Sequence, residues 1–175
     1  MNKKAFAALV LIMLVAAFFR LWDLKNIPPG LWSDEAMNGT NALVALEQKD
    51  WKVFYSENFG REGLFINIQS LFAAVLGNEP WVLRLPSAIF GILTVLGLYL
   101  MTKELFGIRV ALMASFFLAT LFWHISFSRI GFRAIMAPFF LVWAFNFLFL
   151  AMRKSKEWLF AVAGLVFGLG VHSYI

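Results

Sequence analysis

Of 175 residues, 62% are hydrophobic, 18% aromatic and only 14% charged, whereas soluble domains are about half apolar and a quarter charged. Such a chain cannot build a water-facing surface, and its twenty-one Phe and seven Trp suit side chains that face lipid. The net charge of +5 fits the Lys and Arg of short cytoplasmic loops and does not call for nucleic acid, while zero Cys excludes disulfides, thiolate zinc sites and Cys nucleophiles together.

Lys3 and Lys4 precede an apolar run from Ala5 to about Trp22. It is longer than a usual signal-peptide core and no small-x-small cleavage site follows, so it reads as a retained spanning helix. From Asp23 to about Gly63 the chain is polar and holds most of its acidic residues. Pro28, Pro29 and Gly30 exclude helix there. Ser33 then offers an N-cap, with Asp34 and Glu35 in the first turn. Ala36, Met37, Thr40 and Val44 recur at helical spacing, which predicts a short amphipathic helix to about Glu47.

A second short helix is predicted over about 64–76, with Leu64, Ile68, Leu71, Phe72 and Val75 on one face and Asn67 and Ser70 on another. It reaches about 20 Å, short of a hydrocarbon core of about 30 Å, so it should lie along the membrane surface. Four longer apolar runs follow, at about 86–105, 108–125, 134–152 and 158–175. Pro86 suits the first turn of its helix, and Pro138, one turn into its own, should bend it slightly. The expected fold is therefore all-α and polytopic, about five transmembrane helices in a single transmembrane domain over 1–175, with an outer loop at about 23–80 carrying two surface helices. The last run stops at Ile175 without an interfacial anchor, so the chain reads as the N-terminal part of a longer protein.

Orientation follows from the short loops. With a cytoplasmic N-terminus, the inside holds Lys3, Lys4, Lys103, Arg109, Arg153, Lys154 and Lys156, opposed by Glu104 and Glu157 alone. The long loop is then periplasmic or extracellular in a bacterium or archaeon.

Four features of that outer side can carry chemistry. Asp34 and Glu35, adjacent carboxylates after a Pro-Pro-Gly turn, can supply a general base, or simply complement the helix dipole. Arg61 and Glu62, between Gly60 and Gly63, can grip an anion while the carboxylate fixes the guanidinium, or form an ordinary solvated pair. Arg129 and Arg133 sit in a short outer loop without an acid, against the charge bias. They would share a face if the segment is helical, and Arg forks match phosphate oxygens; headgroup anchoring is the other reading. Arg84, at the start of a predicted span, can snorkel to headgroups or face the same cavity. Arg20, His124 and His172, near outer helix ends, each read as interfacial, and Asn38-Gly39-Thr40 matches the glycosylation pattern by chance. No phosphate-cradling Gly loop, metal-ligand cluster or Ser–His–Asp set is visible. A carboxylate pair and several arginines beside the membrane suit a substrate with a phosphate head and a lipid tail.

The ordered series Asp34-Glu35, Gly60-Arg61-Glu62-Gly63-Leu64-Phe65 and Arg84-Leu85-Pro86-Ser87-Ala88 resembles the dolichyl-phosphate-mannose protein mannosyltransferase-like glycosyltransferases, enzymes of the C-type membrane fold. Phe127-Ser128-Arg129-Ile130-Gly131-Phe132-Arg133-Ala134 looks like their prokaryotic branch, and the resemblance covers nearly the whole chain. It implies a multi-pass cell-membrane enzyme that moves a sugar from a polyprenyl-phosphate carrier to a hydroxyl of an acceptor protein, lipid or glycan. Asp34 matches the family's essential acid and would be the general base. Arg129 and Arg133, with Arg61, would stabilise the leaving phosphate, while Glu35, Glu62 and Arg84 complete the substrate site. No metal ligand set is evident, though a carboxylate pair beside phosphate can recruit a divalent cation. The chain departs from the pattern in two places. Gly63 stands where many relatives have Pro, so the start of the surface helix should be looser. Met136 and Pro138 stand where some branches place a second functional Asp. A transporter or flippase for an anionic lipid-linked substrate, without catalysis, is the competing reading; a non-catalytic membrane scaffold is a third.

Overall fold

A chain in lipid must satisfy its own backbone, so long apolar runs become helices. The computed structural model describes residues 3–174. Helix α1 (Lys3–Leu21) leads into a loop layer made of α2 (Ser33–Gln48), an antiparallel ribbon of β1 (Phe54–Tyr55) and β2 (Arg61–Glu62), and α3 (Gly63–Leu76). A helical bundle follows: α4 (Pro80–Phe106), α5 (Ile108–Thr120), α6 (Phe122–Arg129), a 3-10 turn at Arg133–Ile135, α7 (Met136–Lys154) and α8 (Glu157–Val171). The all-α polytopic expectation is met, and the chain is a multi-pass membrane protein.

The count of spans differs from about five. Among the described residues, α1, α4 and α7 with its preceding turn are long and apolar enough to cross a membrane. The run at 108–125 is not one straight helix; it breaks at Leu121 into α5 and α6, bent by 55°, and crosses only if the two act as one span. Helix α8 has 15 residues, about 22 Å of rise, and the predicted end of that run at Ile175 lies outside the described residues.

Neither Pro nor Gly marks the break at Leu121. Thr120 Oγ1 back-bonds to Phe116 O and Phe117 O beside it, and Arg20, fully buried near the end of α1, supports it. A helix end leaves its last four carbonyls without partners, and Arg20 donates to two of those of α5, through Nη1 to Ala119 O (3.1 Å) and Nη2 to Leu118 O (3.2 Å). Its remaining donors reach Ala16 O, Ser128 Oγ and His124 Nδ1. Arg20 and His124 are thus buried partners, not the separate interfacial residues that their positions suggested.

Small residues let these helices approach closely, as membrane packing requires. Ala16, Ala111, Ser115 and Ala119 are fully buried, and a Cβ at Gly91 of α4 would overlap Ser128 and press on Arg20 Nε. Ile12, Ala16, Val95 and Ala119 form one apolar cluster; Phe65, Met136 and Phe140 form another, which seats α3 against α7.

The start of α4 also differs from expectation. It begins at Pro80, with Glu79 as N-cap, and Pro86 lies inside the helix. Pro80 takes the first-turn place where the missing N–H has no partner. Arg84 therefore sits one turn inside α4 and is buried. Pro138 is the third residue of α7, where an intrahelical donor is not required. At α2 the cap is Trp32 rather than Ser33, with Glu35 Oε2 accepting from the Trp32 N–H (3.2 Å). Helix α3 matches its expected span, and Gly63 makes its start tight rather than loose. The Gly63 N–H donates to Val53 O at 2.7 Å, and a Cβ there would clash with the Lys52 carbonyl and come within 2.9 Å of Val53 O. Tyr55 Oη on Asn67 Oδ1 (2.9 Å) and Trp51 Nε1 on Ser70 Oγ (3.2 Å) fasten the ribbon to α3.

Candidate active site at the loop end of the bundle

Glu35 is the hub on which the loop layer is assembled. It is 2% exposed, and its carboxylate accepts from Arg84 Nε (2.7 Å) and Nη2 (3.3 Å), from the Gly131 N–H (3.0 Å) and from the Trp32 N–H. Arg84, 1% exposed, donates onward to the carbonyls of Leu24 (3.4 Å), Pro28 (2.8 Å) and Gly30. All five of its N–H donors are engaged. The pair ties α2, α4, the 24–30 loop and the segment after α6 together, and neither side chain presents a spare polar atom to a cavity.

Asp34, one residue earlier on α2, points the other way. It is half-buried and lines a polar cavity of about 260 Å³ with Asn38, Asn58, Phe59, Arg61, Phe132, Arg133 and Tyr174. Asn58 Nδ2 donates to its Oδ1 at 2.8 Å, and its Oδ2 has no protein partner among the described residues. Asp34 also borders a more apolar cavity of about 340 Å³ with Trp32, Glu35, Phe127, Ile130, Gly131 and Phe132. The two carboxylates therefore diverge. With Glu35 closed around Arg84, Asp34 is left beside the amides of Asn38 and Asn58 and the guanidinium groups of Arg61 and Arg133, and no group of three or more His, Asp or Glu converges among the described residues.

Arg61 and Glu62 are not a pair either. Neighbouring residues of a strand point to opposite faces, so the side chains part. Arg61, 3% exposed, donates to Asn38 Oδ1, to Asn41 Oδ1 (2.5 Å) and to Glu57 O (3.3 Å). Burial holds its guanidinium below the ordinary value, Arg133 adds to the effect, and Glu57 and Asp34 oppose it. Glu62 instead meets Arg133, Oε2 to Nη1 at 3.2 Å, and the Arg133 guanidinium stacks 5.0 Å from the Tyr174 ring centre.

Arg129 and Arg133 do not share a face. Helix α6 ends at Arg129, and Ile130 is extended. Arg129 turns back to the end of α1, donating to Phe19 O (2.8 Å), Trp22 O (2.7 Å) and Ile27 O (2.8 Å), a cation on helix-terminal carbonyls. Arg133 alone of the two reaches the polar cavity. Its Nε and Nη2 have no hydrogen-bond partner among the described residues.

Of the expected site residues, the polar cavity gathers Asp34, Arg61 and Arg133, with Glu62 behind Arg133. Glu35, Arg84 and Arg129 are engaged elsewhere. Sequence reasoning missed Asn38, Asn58, Phe59, Phe132 and Tyr174. Asn38 and Asn41 had a readable signal, spaced i and i+3 on one face of α2; Asn38 is also buried, which removes it as a glycosylation acceptor. Asn58, Phe59 and Gly60 all have positive φ (52°, 67° and 85°). Such a conformation is unusual for Phe, and it leaves the Phe59 ring fully exposed at the rim of the cavity.

A layer of short helices and loop seated on one end of a polytopic helical bundle is the architecture of the C-type glycosyltransferase fold. The same fold is seen in the crystal structure of an Archaeoglobus fulgidus oligosaccharyltransferase tethered with an acceptor peptide, with a TM-score of 0.77 over 99% of this chain and 24% of that one, at 20% identity. The chain belongs to the dolichyl-phosphate-mannose-protein mannosyltransferase family, whose model matches residues 64–175. Two Bacillus subtilis (strain 168) proteins are similar to it: "Putative mannosyltransferase YkcB", 31% identical over 94% of this chain, and "Putative mannosyltransferase YycA", 30% identical over 96%. The chain spans about a quarter of the length of these relatives (23% and 25%).

Proposed function

We propose that the protein transfers a sugar from a polyprenyl-phosphate carrier to an acceptor hydroxyl on the outer face of the cell membrane, with Asp34 as general base. The observation that carries this is the polar cavity, in which Asp34 keeps one oxygen free and Arg133 keeps donors free. In the transfer, the acceptor oxygen attacks the anomeric carbon, its proton passes to Asp34, and the bond to the phosphate oxygen breaks. Negative charge then grows on the leaving phosphate. Arg133, fixed by Glu62 and Tyr174, meets that charge with donors already in place, so it favours the transition state over the ground state. Arg61 adds positive potential from behind Asn38. Asn58 holds the Asp34 carboxylate in position, and Glu35 and Arg84 hold the wall that carries Gly131 and Phe132. The names of the similar B. subtilis proteins favour mannose as the sugar.

The test is the full-length protein in native membranes, comparing the unaltered form with Asp34→Asn for sugar transfer from a radiolabelled polyprenyl-phosphate donor. Asn preserves the size of the side chain and can still accept from Asn58. Transfer should fall by at least about a hundredfold, the general-base contribution, with donor binding unchanged. Equal transfer in both forms removes Asp34 from the chemistry.

A further inference from the structure

Asn58 and Phe59, which both line the polar cavity, have positive φ (52° and 67°). The Gly60 N–H closes their turn on Glu57 O at 3.2 Å, within the hairpin that joins β1 to β2. Positive φ at both central residues is the demand of a type I′ turn, and the residues suited to those two places are Asn and then Gly. Asn58 fits, and its side chain holds Asp34. Phe59 does not fit, because a residue with a Cβ is strained in the left-handed region. The ring returns nothing to the fold: it is fully exposed, so it buries no apolar surface to offset that strain. A local preference broken without a gain in packing points to function.

The surroundings indicate which function. Three rings line the polar cavity of about 260 Å³. Tyr174 carries the Arg133 guanidinium, and Phe132 packs on Phe127 and Tyr174. Phe59 alone of the three keeps its ring fully open among the described residues. In the transfer proposed above, the sugar lies between the base and the leaving phosphate, hence between Asp34 and Arg133 in this cavity. A hexopyranose is amphipathic. Its hydroxyls lie around the edge of the ring, while axial C–H groups at C3 and C5 make one face apolar. Asn38, Asn58 and the charged groups suit the hydroxyls, and only an aromatic face suits the C–H surface.

We infer that Phe59 is the platform for the sugar of the lipid-linked donor, its ring stacking on the apolar face of a hexopyranose held between Asp34 and Arg133. The left-handed turn keeps the ring at the cavity rim before the ligand arrives. Phe59 thereby selects the sugar-bearing carrier over the bare one. The inference rests on the donor class proposed above and adds a residue that determines specificity.

Three substitutions separate the flat face from bulk and from strain. Leu keeps an apolar side chain and the same backbone demand but removes the flat face; Tyr keeps the face; Gly removes side chain and strain together. The probes are radiolabelled undecaprenyl phosphate and mannosyl undecaprenyl phosphate, bound at equilibrium to the full-length protein in nanodiscs. Phe59→Leu should weaken the mannosyl probe about fivefold and leave the bare carrier unchanged, and Phe59→Tyr should bind both as the unaltered protein does. Phe59→Gly should lose the mannosyl probe in the same way, while its thermal unfolding midpoint holds or rises, because Gly suits the turn. Equal weakening of both probes in Phe59→Leu places the ring against the lipid, and a lower midpoint in Phe59→Gly makes the ring part of the fold; either result overturns the inference. If the unaltered protein binds neither probe, the donor reading fails and the inference with it. Binding of both probes with no loss in Phe59→Leu fails the inference alone.

Discussion

Removing the Glu35 carboxylate tests the architecture of the site most directly. In Glu35→Ala, Arg84 loses its counter-charge at 2.7 and 3.3 Å while remaining 1% exposed. The Gly131 and Trp32 N–H groups lose their acceptor as well. Breaking a buried ion pair from one side costs about 3–5 kcal/mol, because the remaining charge stays desolvated. Three carbonyls still solvate Arg84 in part, which lowers the figure, and the orphaned Gly131 N–H raises it by about 1–3 kcal/mol. The expected loss is about 4 kcal/mol. The exposed Lys52–Asp50 pair, 3.7 Å apart with side chains 47% and 58% exposed, is the internal comparison; Lys52→Ala should cost no more than about 1 kcal/mol. Reversible unfolding of the detergent-solubilised protein in mixed micelles, followed by Trp fluorescence, measures both. In a double-mutant cycle, Glu35→Ala and Arg84→Met should be strongly non-additive, since each already removes the other's main partner. A Glu35→Ala loss as small as that of Lys52→Ala, or simple additivity in the cycle, refutes the hub.

Arg20→Lys should destabilise by about 2–3 kcal/mol in the same assay, because three donors replace five and leave carbonyls at the α5 break without partners; an unchanged midpoint would mean that Arg20 does not hold the bend. Arg133→Lys should lower transfer by about 10–100-fold while Glu62 can still pair with the ammonium, since a point charge cannot reproduce the planar fork stacked on Tyr174. Full activity would remove Arg133 from the phosphate. The chain has no Cys, so single cysteines at positions 52 and 154 report orientation without background from it. A membrane-impermeant maleimide applied to intact cells should label position 52 and not 154, and the reverse pattern overturns the proposed topology.

Much of this organisation was legible in the sequence, because it depends on local properties. An apolar run long enough to satisfy its own backbone becomes helix in lipid wherever the rest of the chain lies, which is why α1, α3 and α7 fall close to their expected spans. Pro28, Pro29 and Gly30 interrupt the chain by sterics alone, and Asp34 and Glu35 enter the first turn of α2 as the dipole favours. The family resemblance was carried by the same short, ordered motifs.

Only the tertiary structure decided which charges meet, because an ion pair depends on what arrives from elsewhere in the chain. Glu35 appeared to belong with Asp34, yet its partner is Arg84, 49 residues away. Arg84 looked like the end of a helix because burying a guanidinium in an apolar run is costly; that partner makes burial possible, so α4 begins earlier, at Pro80. Arg61 and Glu62 stand side by side in sequence and are sent apart by the alternation of β2. The bend at Leu121 carries no Pro or Gly, and its long-range support, Arg20, comes from α1, 98 and 99 residues distant from the carbonyls it caps. Local chemistry sets where the chain is helix and where it turns, while long-range packing sets which polar atoms are consumed in holding it together and which, like Asp34 Oδ2, are left without a protein partner among the described residues.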